Sequence, residues 1–125
     1  MKKMQFVLVL LVSILILAGG CTKSIEGSKF NYASGNLSAM LSANVEQSYD
    51  ASLKACEQLE LKVTEKTKDA LGAKIATKTS ADKAVNIWLK RITDTTTEIV
   101  IEVGMVGDKE VSTNLYGKIL ENLKK

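Results

Sequence analysis

The sequence predicts an α+β fold, a two-layer αββββα sandwich in which a four-stranded antiparallel meander carries two helices on one face. Three observations lead there. Apolar residues recur at steps of three and four over residues 37–59 and again after residue 108, the period of an amphipathic helix. Between those segments the period falls to two, in four short runs separated by turn-like residues. A 125-residue chain with 46% apolar and 25% charged residues has the composition of one globular domain.

Each element follows from its residues. Leu37, Leu41, Val45, Tyr49, Leu53, Cys56 and Leu59 form one stripe of a long first helix, with Ser34, Asn36 or Ser38 available as N-cap. Leu59, Leu61 and Val63 then alternate with Glu60, Lys62 and Thr64, and residues 65–69 (EKTKD) read as a turn. Leu71, Ala73 and Ile75 alternate with Gly72, Lys74 and Ala76, and a second turn falls near residues 80–83. Val85, Ile87 and Leu89 take one face of the third strand, Asn86, Trp88 and Lys90 the other. After a turn around Asp94, Thr97, Ile99, Ile101 and Val103 face inward while Glu98, Val100 and Glu102 face outward. Short connections make these strands antiparallel neighbours. Gly104 and Gly107 end the last strand, and Asp108 caps a second helix with Val111, Leu115, Ile119 and Leu123 on its buried stripe. Glu110 suits the positive end of that helix, and Lys124 and Lys125 its negative end.

The N-terminus reads as an address. Lys2 and Lys3 precede an apolar stretch from Phe6 to Ala18, broken only by Ser13. As a helix that stretch spans roughly 20 Å, short of the ~30 Å hydrocarbon core, and fits a signal peptide better than a membrane span. It ends in Ala18, Gly19 and Gly20 directly before Cys21, which resembles the lipobox of bacterial lipoproteins, although Ala18 stands where Leu is usual. The resemblance implies a signal peptide over 1–20, cleavage before Cys21, and a Cys21 carrying diacylglycerol and palmitate-like acyl chains that hold the protein in the cell envelope. Thr22, where Asp commonly retains a lipoprotein at the inner membrane, implies the outer membrane and a domain facing the periplasm. Residues 21–36 then form the lipidated Cys and a polar, flexible tether, with Phe30 and Tyr32 docking on the domain over 37–125.

Composition narrows the chemistry. The chain has no His, no Pro and two Cys, which excludes His-based general base catalysis, His-ligated metal and a disulfide framework. Without Lys2 and Lys3, 15 basic residues face 14 acidic ones, and no basic stripe marks a nucleic-acid surface. No cofactor or metal is expected.

Four features could carry function. Gly104, Gly107 and Asp108 precede a helix N-terminus, where backbone N–H groups can cradle an anion, but a tight turn with an N-cap accounts for the same residues. Cys56 falls on an apolar helical stripe without a His to activate it, and reads as an inert core thiol. Glu98 and Glu102 share a strand face about 13 Å apart, too far for a glycosidase pair, and with Lys74 and Lys90 they read as a surface charge ladder. Trp88 is the informative residue: its neighbours take the core face, so it points to the open face beside Val100. It makes a contact surface there unless Phe30, Tyr32 or a second copy covers it.

The segments YASGNL (32–37), KDALGAKIAT (68–77) and TEIVIEVGMVGD (97–108), with Ser112 in the following helix, resemble a family of short bacterial lipoproteins catalogued as domain of unknown function 3568. That resemblance implies a lipoprotein location and no activity. The expectation is a non-catalytic binding or adaptor lipoprotein. It is held by Cys21 and uses the open face of Trp88, Val100, Lys90, Glu98 and Glu102 to meet an envelope protein or a second copy of itself. The alternative is a small-ligand or anion sensor built on Gly104, Gly107 and Asp108.

Overall fold

The computed structural model describes residues 29–124, so the expected signal peptide, the Cys21 lipidation site and residues 22–28 of the tether lie outside the described residues. The order of elements is β1 (Asn31–Ala33), β2 (Asn36–Leu41), α1 (Val45–Gln58), β3 (Lys62–Lys68), β4 (Gly72–Lys78), β5 (Ala84–Thr93), β6 (Thr96–Val103) and α2 (Lys109–Leu123). The fold is α+β, with one open antiparallel sheet in the order β1-β2-β6-β5-β4-β3.

Two expectations are corrected at the start of the domain. The sheet has six strands rather than four, and the first helix begins at Val45 rather than Leu37. Leu37, Ala39 and Leu41 are all buried while Ser38 and Met40 face away, which is the alternation of a strand. A spacing of four satisfies both periods, so Leu37, Leu41 and Val45 alone could not separate helix from strand. Asn44 is the cap that does. Its side chain accepts from the Gln47 N–H at 2.8 Å, and the Gln47 side chain returns the bond to the Asn44 N–H at 3.1 Å. The tether also ends sooner than expected. Residues 31–33 pair with 36–38 across a two-residue turn in which Ser34 and Gly35 both have positive φ.

The four expected strands are present as β3 to β6, each paired to the next. β3 begins at Lys62 rather than Leu59, which is the C-cap of α1, and is exposed throughout; it runs through the segment read as a turn, because the reversal is made by Asp69, whose carboxylate accepts from the N–H groups of Leu71 and Gly72. Val85, Ile87, Ile99, Ile101 and Val103 are fully buried in one core with Tyr49, Ala55 and Cys56 of α1 and Leu115, Tyr116 and Ile119 of α2. Each buried Val, Ile or Leu side chain among them contributes about 1.5–3 kcal/mol. α1 packs over β3 to β5, α2 over β2 and β6, and the helices touch each other, where the Asn122 amide donates to the Ala51 carbonyl. The Thr97 hydroxyl donates to the Ala43 carbonyl at 2.8 Å, tying the loop before α1 to β6.

Candidate functional site

The register of the sheet assembles the open face. Trp88 on β5 lies between Val100 on β6 and Lys74 on β4, and Ser38 on β2 continues the same row. One step along, Met40, Glu98, Lys90 and Gly72 form a second row. On the other side, Asn36, Glu102, Asn86 and Ala76 form a third. Trp88, Val100, Lys90, Glu98 and Glu102 therefore share one surface, as their alternation with the core residues predicts. Lys90 stands directly opposite Glu98, whereas Lys74 faces Trp88 and its ammonium meets Glu65 of β3 at 3.7 Å.

Trp88 is 45% exposed and Met40 56%. The Lys74 ammonium lies 4.7 Å from the centroid of the Trp88 ring, a cation–π contact across the β4–β5 pair. The tether aromatics are elsewhere. Phe30 packs edge-on against Tyr116 of α2, with ring centroids 5.7 Å apart. Tyr32 sits opposite Leu37 on the core-facing side and packs against the core. Neither covers Trp88, and no described element crosses this face. The alternation predicts Trp88 and Val100, but Ser38 and Met40 escape a reading that places residue 37 at the start of a helix. The alternation at 37–41 and the Asn44–Gln47 capping pair were the signals for them.

Gly104, Gly107 and Asp108 are brought together in one turn, and each of the three has a local structural partner. Gly104 and Gly107 have φ of +60° and +87°, values that favour glycine. Gly107 lies against the backbone of Gly35. The Asp108 carboxylate accepts from the Val111 N–H at 3.1 Å and lies 3.4 Å from the Lys83 ammonium. The N–H bond and the lysine hold its pKa below the ordinary carboxylate value. An anion at this helix N-terminus would compete with that carboxylate.

Cys56 is fully buried, and burial pushes its thiol up to about 11, away from reactivity. Among the described residues no cluster of three or more Cys, Asp and Glu side chains is placed to hold a metal ion, and no helix is long and apolar enough to cross a membrane. A shallow cleft of about 310 Å³ lies between Asn44, Asp69, Arg91 and Asp94. Its polar groups are engaged locally: Asn44 caps α1, Asp69 closes a turn, and Arg91 pairs with Asp94.

The model of a family described as Protein of unknown function (DUF3568) matches residues 3–122 of the chain. No curated protein matches it.

Proposed function

The chain belongs to the DUF3568 family, and we propose that it is a lipid-anchored, non-catalytic binding module of the cell envelope whose contact surface is the open face of the sheet. The observation that carries this reading is Trp88, a large aromatic left 45% exposed on an inner strand of the open face. Val100 and Met40 extend the apolar strip, and Lys74, Lys90, Glu98 and Glu102 rim it with both signs of charge. An aromatic centre with a polar rim is the anatomy of a protein contact, and Trp is the residue most enriched among those that dominate binding energy. A chain without His, whose Cys56 thiol is buried and raised in pKa, offers little to acid–base or nucleophilic chemistry, which favours binding over catalysis.

The anchor is proposed from Cys21 at the end of the apolar N-terminal segment. Acyl chains add about 0.8 kcal/mol per buried CH₂, and two or more make attachment stable. The outer membrane, periplasmic side, is the location that Thr22 favours. Cys21→Ser should abolish incorporation of labelled palmitate, and label that persisted in the variant would remove the anchor.

The contact surface is tested by photo-crosslinking in cells from position 88, with position 118 on α2 as control. A discrete adduct from 88 and not from 118, reduced by charge reversal at Lys90 and Glu98, supports the reading. The adduct identifies either an envelope protein or a second copy. Equal labelling from both positions, or none from 88, would overturn it.

A further inference from the structure

Met105 and Val106 stand out from the turn between β6 and α2 with their side chains wholly in solvent, 104% and 91% exposed. Polar residues ordinarily fill such turns, and these two contribute nothing to the core. The turn that presents them is firmly held. The Gly104 N–H donates to the Ala84 carbonyl at 2.8 Å, Gly107 presses on Gly35, and Asp108 caps α2. The flanks carry Lys83 and Lys109; Lys83 answers the Asp108 carboxylate, and Asp82 and Glu110 are exposed acids beside them. An exposed apolar pair on a braced turn with lysines at its base matches the boundary between acyl chains and headgroup phosphates.

Chain length makes that boundary reachable. Lys29 is five residues from Ser34 in the hairpin turn beside the tip, about 17 Å of extended chain. It is eight residues from Cys21, a reach of up to about 28 Å. A bilayer holding acyl chains on Cys21 is therefore within reach of the tip.

We propose that Met105 and Val106 form a second membrane contact, inserting into the surface of the phospholipid bilayer that holds the anchor. The proposal rests on the lipid-anchor reading of Cys21. β6 ends at Val103, immediately before the tip, so insertion stands the sheet on the bilayer and turns the Trp88 face sideways, toward a neighbour in the same membrane.

The test uses the full chain matured as a lipoprotein and reconstituted into phosphatidylcholine–phosphatidylglycerol vesicles with brominated acyl chains. Trp88→Phe removes the native Trp, and Val106→Trp or Lys118→Trp supplies a single reporter. Emission of the reporter at 106 should fall at least about twofold in brominated relative to unbrominated vesicles, and emission of the reporter at 118 should not. Protein that floats with the vesicles but is quenched no more at 106 than at 118 would overturn the tip and leave the anchor standing. Protein that does not float would remove the anchor, and the tip proposal with it.

Discussion

A Cβ built on Gly107 would lie 2.5 Å from both the Cα and the carbonyl oxygen of Gly35, so the β1–β2 hairpin and the turn after β6 meet backbone to backbone. Gly107 has φ of +87°, Gly35 of +82°, and a Cβ on Gly35 would in turn lie 2.9 Å from the Val106 carbonyl oxygen. Two hydrogen atoms hold the place of two side chains. Gly107→Ala should lower stability by about 2–4 kcal/mol, combining left-handed strain with overpacking. Urea unfolding reads it as a shift in midpoint. A loss under about 0.5 kcal/mol would mean that the two turns separate at no cost.

Gly117 is the opposite case. It lies within α2, and a Cβ there would meet nothing within 4 Å. Gly117→Ala should stabilise the domain by about 0.5–1 kcal/mol by reducing the freedom of the unfolded chain. A rise in thermal midpoint checks it, and a fall would place an unseen partner at that position.

The legible part of the fold was the part with one unambiguous period. β4 to β6 alternate over enough residues to be read directly, whereas β3 is exposed throughout and carries no apolar alternation, and Asp108 announces α2 as a cap before a helical stripe. Residues 37–45 were misread because Leu37, Leu41 and Val45 suit a helix and a strand equally, and the deciding residue, Ala39, is small. The partner of β2 is β6, 56 to 66 residues away, a pairing that local periodicity does not encode. The open face was legible at Trp88 and Val100 for the same reason as the strands, whereas Met40 depended on β2. The position of Lys74 over the Trp88 ring required the register between β4 and β5.

Asp108 couples stability to pH. Its carboxylate is favoured in the folded state by the Val111 N–H and by Lys83, so its folded pKa lies below the unfolded one. The stabilisation is fully present above the unfolded pKa, near pH 4, and is lost as pH falls through the lower folded value. Asp108→Asn keeps a capping acceptor but cannot titrate. Its stability should fall less than that of the parent chain between pH 5 and pH 2, roughly the carboxylate range, as followed by circular dichroism. Parallel acid profiles would deny Asp108 any share in the pH dependence.

Cys56 should resist modification while the domain is folded. With its pKa at about 11, the thiolate fraction at pH 8 is on the order of 100-fold below that of a free thiol, and full burial adds a steric barrier. In a Cys21→Ser chain, iodoacetamide should label Cys56 at least about 100-fold faster in urea than in buffer. Comparable rates in the two conditions would require the α1 face of the core to open readily.

Ile87 and Trp88 are adjacent on β5 and face opposite ways, which separates stability from recognition. Ile87 is fully buried, and Ile87→Ala should cost about 3–4 kcal/mol in transfer and cavity terms. Trp88 is 45% exposed and contributes a cross-strand contact with Val100 and a cation–π contact with Lys74. Those contacts are worth about 0.5–1 kcal/mol each, so Trp88→Ala should cost only about 1–2 kcal/mol despite removing the larger side chain. The two variants, compared by urea unfolding, should therefore rank in the order opposite to their size. In cells the ranking should reverse for binding, with Trp88→Ala leaving a folded protein that no longer recovers its crosslinked partner. A Trp88→Ala loss as large as that of Ile87→Ala would make the indole a structural residue and remove the observation on which the contact surface rests.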